Sequence, residues 1–254
     1  MAEEKPAIII ITGAWHLPES WDYVKTRLEK AGYEVHVPGM LTVRGPDPVT
    51  HTWRVDMGVV HDTAMPIVDR GGRVVLVGHS YGGCVATIST QCQTVKERTE
   101  RGLPGGLVAV VYVSAFPISK KGNSAMSTAG VYGSWVMAAE LFKGQCYSIN
   151  VRPEMQLSYN DLPPDEAKFW AERLCYHSQR SLEELLPFCA NDISILMIYL
   201  LCEADINVPI QAQDCMVSQI PKMKTERCTA GHSPFLSQPD RTVEVVIKAS
   251  RQVR

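Results

Sequence analysis

An apolar run from Arg73 to Val77 leads without interruption into Gly78-His79-Ser80-Tyr81-Gly82-Gly83, and a helix-compatible segment, Cys84 to Glu97, follows. A continuous β-branched run suits a strand buried on both faces, as in a parallel sheet covered by helices. Gly-x-Ser-x-Gly between a strand and a helix is the pattern of a strained turn that lifts a serine hydroxyl clear of the sheet. Glycines flank the serine because side chains there would collide with the neighbouring strand and helix. The bare pattern arises by chance in roughly one chain in ten of this length, so its weight comes from the strand before it and the helix after it. This feature commits the chain to an α/β architecture with its chemistry at a strand end.

The rest of the chain repeats the same alternation. Ala7–Ile11 is a β-branched run. A helix is expected from about Pro18 to Ala31, with Pro18 in its first turn, Trp21, Val24 and Leu28 at helical spacing, and Gly32 as its stop. Tyr33–Val37 reads as a second strand, Leu41–Thr52 as a long loop, and Trp53–Asp69 as a helix that Pro66 should kink or shorten. Leu107–Val113 is a strand. From about Pro117 to Asn191 the rhythm breaks into helical pieces such as Pro164–Leu174 and Ser181–Leu186, the pattern of an inserted cap. Strand Ile195–Cys202, helix Ile210–Gln219, strand Lys224–Cys228 and a helix from about Pro239 to Arg251 resume it. The expected organisation is one α/β domain over residues 1–254, with a helical cap inserted at about 117–191.

Composition narrows the function. Lys plus Arg number 25 against 27 Asp plus Glu, a net charge of -2, so no basic field favours nucleic acid. Ala7–Ile11 is too short to span a bilayer and follows Glu3-Glu4-Lys5 rather than the basic start of a signal peptide. The expected setting is therefore soluble and cytoplasmic, without membrane or nucleic-acid partners. The eight cysteines, at 84, 92, 146, 175, 189, 202, 215 and 228, include no C-x-x-C pair. They read as small buried hydrophobes rather than a metal or redox centre. No metal and no cofactor is expected; the expected partner is a small-molecule substrate, and the oligomeric state is left open between monomer and homodimer.

A serine hydroxyl needs a base to take its proton. Where a serine sits on a Gly-x-Ser-x-Gly turn between strand and helix, its partners follow it in the order acid, then histidine, which leaves His177 and His232 among the seven histidines. His177 lies in the cap and reads as a pocket-rim residue. His232 lies in Ala230-Gly231-His232-Ser233-Pro234-Phe235, a loop at the end of the last strand, where such folds place their sites. His232 is the expected base, and His79, beside the serine at a sharp turn, is expected to pack or hydrogen-bond. The acid should follow strand Ile195–Cys202, where Glu203 and Asp205 both occur. Asp205, further into the loop, is preferred. The oxyanion donors are expected from the backbone of Tyr81 and of Ala14 or Trp15 in Thr12-Gly13-Ala14-Trp15-His16, the last two not separable by sequence.

The Gly13-Ala14-Trp15-His16 loop, Trp21, the Gly78–Gly83 turn, Cys202-Glu203-Ala204-Asp205, Tyr159–Ala167 and Gly231-His232-Ser233-Pro234-Phe235 together resemble the α/β-hydrolase superfamily. Within it they resemble the compact salicylate-esterase-like branch, related to plant methyl esterases and hydroxynitrile lyases. The resemblance spans about residues 6–250. It implies the α/β-hydrolase fold, a mostly parallel sheet with a helical cap, and Ser80 as nucleophile, Asp205 as acid and His232 as base. The activity it implies is serine-dependent hydrolysis of a carboxylic ester or lactone through an acyl-enzyme. His16, Phe235, Trp135 and Phe142 are the expected pocket residues, favouring an apolar or aromatic substrate. A lyase or carbon–carbon bond hydrolase using the same triad, and a non-catalytic ligand-binding member of the fold, are the alternatives.

Overall fold

The uninterrupted apolar runs are strands covered on both sides. The computed structural model describes residues 4–43, 51–129, 140–142, 146–148 and 158–253, with the backbone alone for 129, 140–142 and 146–148. Strands β1 (Ala7–Ile11), β2 (Val35–His36), β3 (Arg73–His79), β4 (Gly106–Val113), β8 (Leu196–Cys202) and β9 (Lys224–Cys228) form one six-stranded sheet in the order β2-β1-β3-β4-β8-β9. Every pairing in it is parallel. Because side chains alternate across a strand, Ile9, Ile11, Leu76, Val110 and Tyr199 enter one buried cluster, while Ile8, Ile10, Val75, Val111 and Leu200 enter another. The two clusters occupy opposite faces, so neither face of the central strands can tolerate polar alternation.

Helices α2 (Trp53–Asp69), α3 (Gly82–Ser89) and α8 (Ile210–Ser218) contribute to the first cluster. Helices α1 (Asp22–Lys30), α6 (Pro164–Ala171) and α10 (Pro239–Gln252) contribute to the second. The central pair β3 and β4 runs its C-terminal ends side by side, with His79 opposite Val113. Ser80 and Ser114, the residues after them, therefore sit at the middle of the sheet's carboxyl edge.

Local chemistry explains the differences from the expected boundaries. The helix expected over 84–97 is two helices: α3 ends at Ser89, Cys92 takes a left-handed backbone (φ 62°), and α4 (Val95–Glu100) starts afresh. Thr94 and Glu97 form a capping box that satisfies the first free amides of α4. Thr-x-x-Glu was visible in the sequence and marks the restart. The helix expected from Pro18 begins as a 3-10 turn, Pro18–Trp21, before α1. Helix α2 runs through Pro66 to Asp69, so the proline removes one helical donor without shortening the helix. The second strand shrinks to Val35–His36.

Between β4 and β8 lie α5 (Ala125–Ala129), α6 and α7 (Gln179–Glu183), together with short strands β5 (Glu140–Phe142), β6 (Cys146–Ser148) and β7 (His177–Ser178). These three strands make a second, antiparallel sheet that the expected helical composition of this stretch did not include. A buried helix α9 (Pro234–Ser237) follows the Gly231-His232 loop.

Candidate active site

The turn after β3 is strained as its sequence requires. Ser80 has φ 50°, a conformation that costs a non-glycine residue about 1–3 kcal/mol and persists only where its surroundings impose it. A Cβ at Gly78 would lie 2.6 Å from the Gly82 carbonyl, and one at Gly82 would meet the carbonyls of Ile11 and Thr12. Ser80 is anchored by its own N–H to the Val113 carbonyl (3.3 Å), while its carbonyl accepts from Phe116 N–H (3.1 Å). Gly83 N–H also donates to Ser80 O (3.0 Å), starting α3 directly behind the serine.

Asp205 and His232 meet as a buried pair, 2.8 Å between Oδ2 and Nδ1. Asp205 lies in the loop after β8, where the backbone amides of Asn207 (2.8 Å) and Val208 (2.9 Å) donate to Oδ1. Glu203 instead lies half-exposed near Arg227 (3.6 Å), with Asp214 on the same guanidinium (2.7 Å). Ser114 was not singled out by sequence. Its hydroxyl donates to Asp205 Oδ2 and stands 3.4 Å from His232 Nδ1, from a backbone with φ 39°. It occupies the position after β4 that Ser80 occupies after β3, and that shared position was the signal available.

Ala14, Trp15, His16, Ser80 and His232 line one cavity of about 30 Å3 with Ser158, Asn207 and Val208. No side-chain hydrogen bond reaches the Ser80 hydroxyl among the described residues; it and the ring of His232 share the cavity wall. Trp15 is held at φ 67°, so the loop after β1 carries strain like that of the serine turn. Ala14 and Trp15 both border the cavity, and so both remain candidate donors. Tyr81 directs its side chain away from the cavity: its hydroxyl donates to Asp56 Oδ2 (3.0 Å), a buried carboxylate that also accepts from Thr42 N–H (3.1 Å) and Thr42 Oγ1 (2.5 Å). Burial pushes the Asp56 carboxyl up, with the Thr42 and Tyr81 hydrogen bonds pulling the other way.

Three further imidazoles surround the pair. His79 Nε2–H donates to the His232 carbonyl (2.9 Å), and its Nδ1 is buried without a partner. His16 Nδ1–H donates to the Ala14 carbonyl (2.8 Å), and Tyr159 OH donates to its Nε2 (3.1 Å). His177 is fully buried against Tyr81 (centroids 4.7 Å) and Trp15 (5.7 Å), behind the loop rather than on a rim. Burial lowers all three: His16 to about 4, His177 to about 3, and His79 well below the ordinary imidazole range.

Phe235 is fully buried one layer further back. It stacks on Trp21 (4.4 Å) and meets His79 edge-on (4.9 Å), supporting the site rather than facing the cavity. Trp135 and the side chain of Phe142 lie outside the described residues. His16 also borders a second cavity of about 550 Å3, walled by Leu17, Tyr23, Tyr159, Phe169, Trp170 and Leu174 with Glu19, Asp22 and Arg173. Of the seven cysteines whose side chains are described, Cys84, Cys189, Cys202 and Cys228 are buried, and no group of three or more metal-ligating side chains occurs among the described residues. No described helix is long and apolar enough to cross a membrane.

A family model described as "Alpha/beta hydrolase family" matches residues 8–245. The chain is 29% identical over 250 residues to an Aspergillus novofumigatus protein named alpha/beta hydrolase nvfD, covering 97% of each. It is 23% identical over 269 residues to Methylesterase 7 of Arabidopsis thaliana, covering 94% of each. Among solved structures it superposes with a TM-score of 0.79 and 19% identity on an extracellular alpha/beta-hydrolase from a Paenibacillus species, covering 97% of this chain and 99% of that one. At that identity the likeness is one of fold, and it agrees with the parallel sheet described above.

Proposed function

This chain belongs to the alpha/beta hydrolase family, and from that premise we propose that it cleaves a small apolar or aromatic carboxylic ester or lactone through Ser80, His232 and Asp205. The observation that carries the reading is the buried Asp205–His232 pair at 2.8 Å, sharing one cavity wall with a serine on a strained strand-to-helix turn. Ser80 attacks the carbonyl carbon while His232 Nε2 takes its proton. Asp205, bound at Nδ1, fixes the tautomer and stabilises the imidazolium. The backbone N–H of Tyr81 and one from Ala14 or Trp15 receive the developing oxyanion. His232 then protonates the leaving alcohol, and a water activated by the same ring releases the acid from the acyl-enzyme.

The apolar substrate class is supported by the aromatic walls of the 550 Å3 cavity beside His16, a volume within the range of small-molecule sites. The likeness to a protein named a methylesterase supports a carboxylic ester. A fluorophosphonate probe should label the protein at Ser80, and Ser80→Ala should be silent. Hydrolysis in 18O-water should place the label in the released acid. Labelling at another residue removes the assignment, and cleavage of a β-hydroxy or β-diketo compound with esters untouched replaces hydrolysis by carbon–carbon chemistry. Asp205→Asn should lower kcat by about 10^4-fold, as wrong-tautomer variants of such triads do, with Glu203→Gln near wild type.

A further inference from the structure

Four consecutive residues outside the sheet, Ser158 to Asp161, reach three loops of the candidate site, those after β1, β8 and β9. Asn207 Nδ2 donates to Ser158 Oγ (2.6 Å), and Asn160 Nδ2 donates to the Ala204 carbonyl (2.9 Å), so two bonds hold the loop that carries Asp205. Tyr159 OH donates to His16 Nε2 (3.1 Å), and His16 in turn binds the Ala14 carbonyl in the loop after β1. Gly231 N–H donates to Asp161 Oδ2 (2.6 Å), one residue before His232.

We infer that Ser158–Asp161 is a clasp that sets these loops relative to one another, and that Asp161 is a positioning residue for His232. This rests on the function proposed for Ser80 and His232. The ring of His232 is held by Asp205 at Nδ1 and its carbonyl by His79 Nε2. Asp161 adds a restraint on the Gly231 N–H, in the chain one residue before the base. The ring, the carbonyl and the chain leading into the base are thereby each held, and only the ring is held by the acid itself.

The contact is close enough to dictate sequence on both sides. A Cβ at position 231 would stand 2.5 Å from Asn160 Oδ1 and 2.6 Å from Asp161 Oδ1, so glycine is required for the clasp to seat. Asp161 Oδ1 is itself buried without a hydrogen-bond partner. Leaving a buried carboxylate oxygen unsatisfied is costly, so the side chain contributes little as a purely stabilising group. Its paired oxygen accepts from the backbone one residue before the base.

The test uses kcat and KM on a short aryl ester for wild type, Asp161→Ala, Asp161→Asn and Ser80→Ala, with near-ultraviolet circular dichroism confirming the fold. Amide hydrogen exchange is followed in the peptide containing Gly231 and His232. Asp161→Ala should lower kcat by about ten- to a hundredfold with KM within about twofold, the scale of a small misplacement of a catalytic group. Asparagine retains an acceptor oxygen and should restore most of kcat. Exchange at the Gly231 peptide should quicken in the alanine variant and return with asparagine. An unchanged kcat, a change in KM alone, or unaltered exchange overturns the inference. Should Asp161→Ala not fold, Asp161→Glu decides, because the longer side chain keeps the acceptor but displaces the loop; undiminished kcat there overturns it equally. Full activity in Ser80→Ala would refute the proposed function instead, and the exchange result would still decide the clasp.

Discussion

Acidification from pH 7 to 5 should destabilise this protein well above the range in which carboxylates titrate. His16, His79 and His177 are buried as neutral rings, each with its protonation state fixed by its partners. His79 and His177 hold Nδ1 in the interior with no partner, and His16 Nε2 is occupied by the Tyr159 hydroxyl. On His177, the Ser181 hydroxyl donates to the Ser178 carbonyl, so Nε2–H is the donor to Ser181 Oγ. A second proton on His79 or His177 would be buried without an acceptor, and one on His16 would force the Tyr159 hydroxyl to turn from donor to acceptor. Burial accordingly lowers His16 to about 4 and His177 to about 3, with His79 well below 6.5. In the unfolded chain the same rings titrate near 6.5. The native state therefore binds fewer protons than the unfolded one, and the stability these rings confer is complete above about pH 6.5 and lost as pH falls toward their folded values. By linkage His16 and His177 each cost about 2 kcal/mol between pH 7 and 5, or about 4 kcal/mol together, and His79 adds a loss in the same direction. That is a large share of the roughly 5–15 kcal/mol that holds a domain folded. Asp56 opposes the trend, because burial raises its pKa and the native state takes up its proton more readily. A difference measurement cancels it. Guanidinium chloride unfolding at pH 7, 6 and 5 should show a steep loss in wild type, and His177→Phe, which keeps a ring against Tyr81, should lose about 2 kcal/mol less over the same span. Stability that stays level from pH 7 to 5, or identical pH dependence in the two proteins, would refute the reasoning.

Other substitutions probe the layers around the site. Ser114→Ala removes a hydroxyl donor from a buried carboxylate and should cost about 2 kcal/mol, or roughly 4–8 °C in Tm by calorimetry. Its kcat should fall far less than that of Asp205→Asn, since the amides of Asn207 and Val208 still hold the acid. Tyr81→Phe leaves buried Asp56 short of one donor and should cost about 1–3 kcal/mol in denaturant unfolding. Phe235→Ala empties the space between Trp21 and His79 and should cost about 3–5 kcal/mol, with thermal unfolding as the measure.

The parts of the fold that could be read in the sequence are those with a local cause. The strands of the large sheet announce themselves as apolar runs because both their faces are covered, and the serine turn does so because only glycine fits its contacts with β1 and α3. Ser80, Asp205 and His232 come together because each follows a strand in the same direction, a consequence of parallel topology. What escaped were relations between distant segments. Nothing local marks Ser114 as a partner of Asp205, which lies 91 residues away, or Asp56 as the acceptor of the Tyr81 hydroxyl. His177 reads as a polar residue in an insertion, yet its ring fills the space behind Tyr81 and Trp15. Phe235 was expected at the substrate because it lies three residues from the base, but Pro234 starts a helical turn that swings it against Trp21. Such placements are decided by packing, which single-residue patterns do not encode.

Burial of the surrounding imidazoles also bears on how His232 can work. In the proposed reaction His232 becomes positively charged in an interior site, and a second cation nearby would oppose that step. His79 lies 4.7 Å from it, ring centre to ring centre, and His16 lies 5.3 Å from His79. After burial itself, mutual repulsion with His232 is among the causes that lower both groups. Kept neutral, His79 acts through its dipole, with Nε2–H directed at the His232 carbonyl, and His16 through the bond that holds the loop after β1. The one charge paired with His232 is then the Asp205 carboxylate. His16 and His79 thus hold position beside His232, the ring that takes the proton in the proposed reaction.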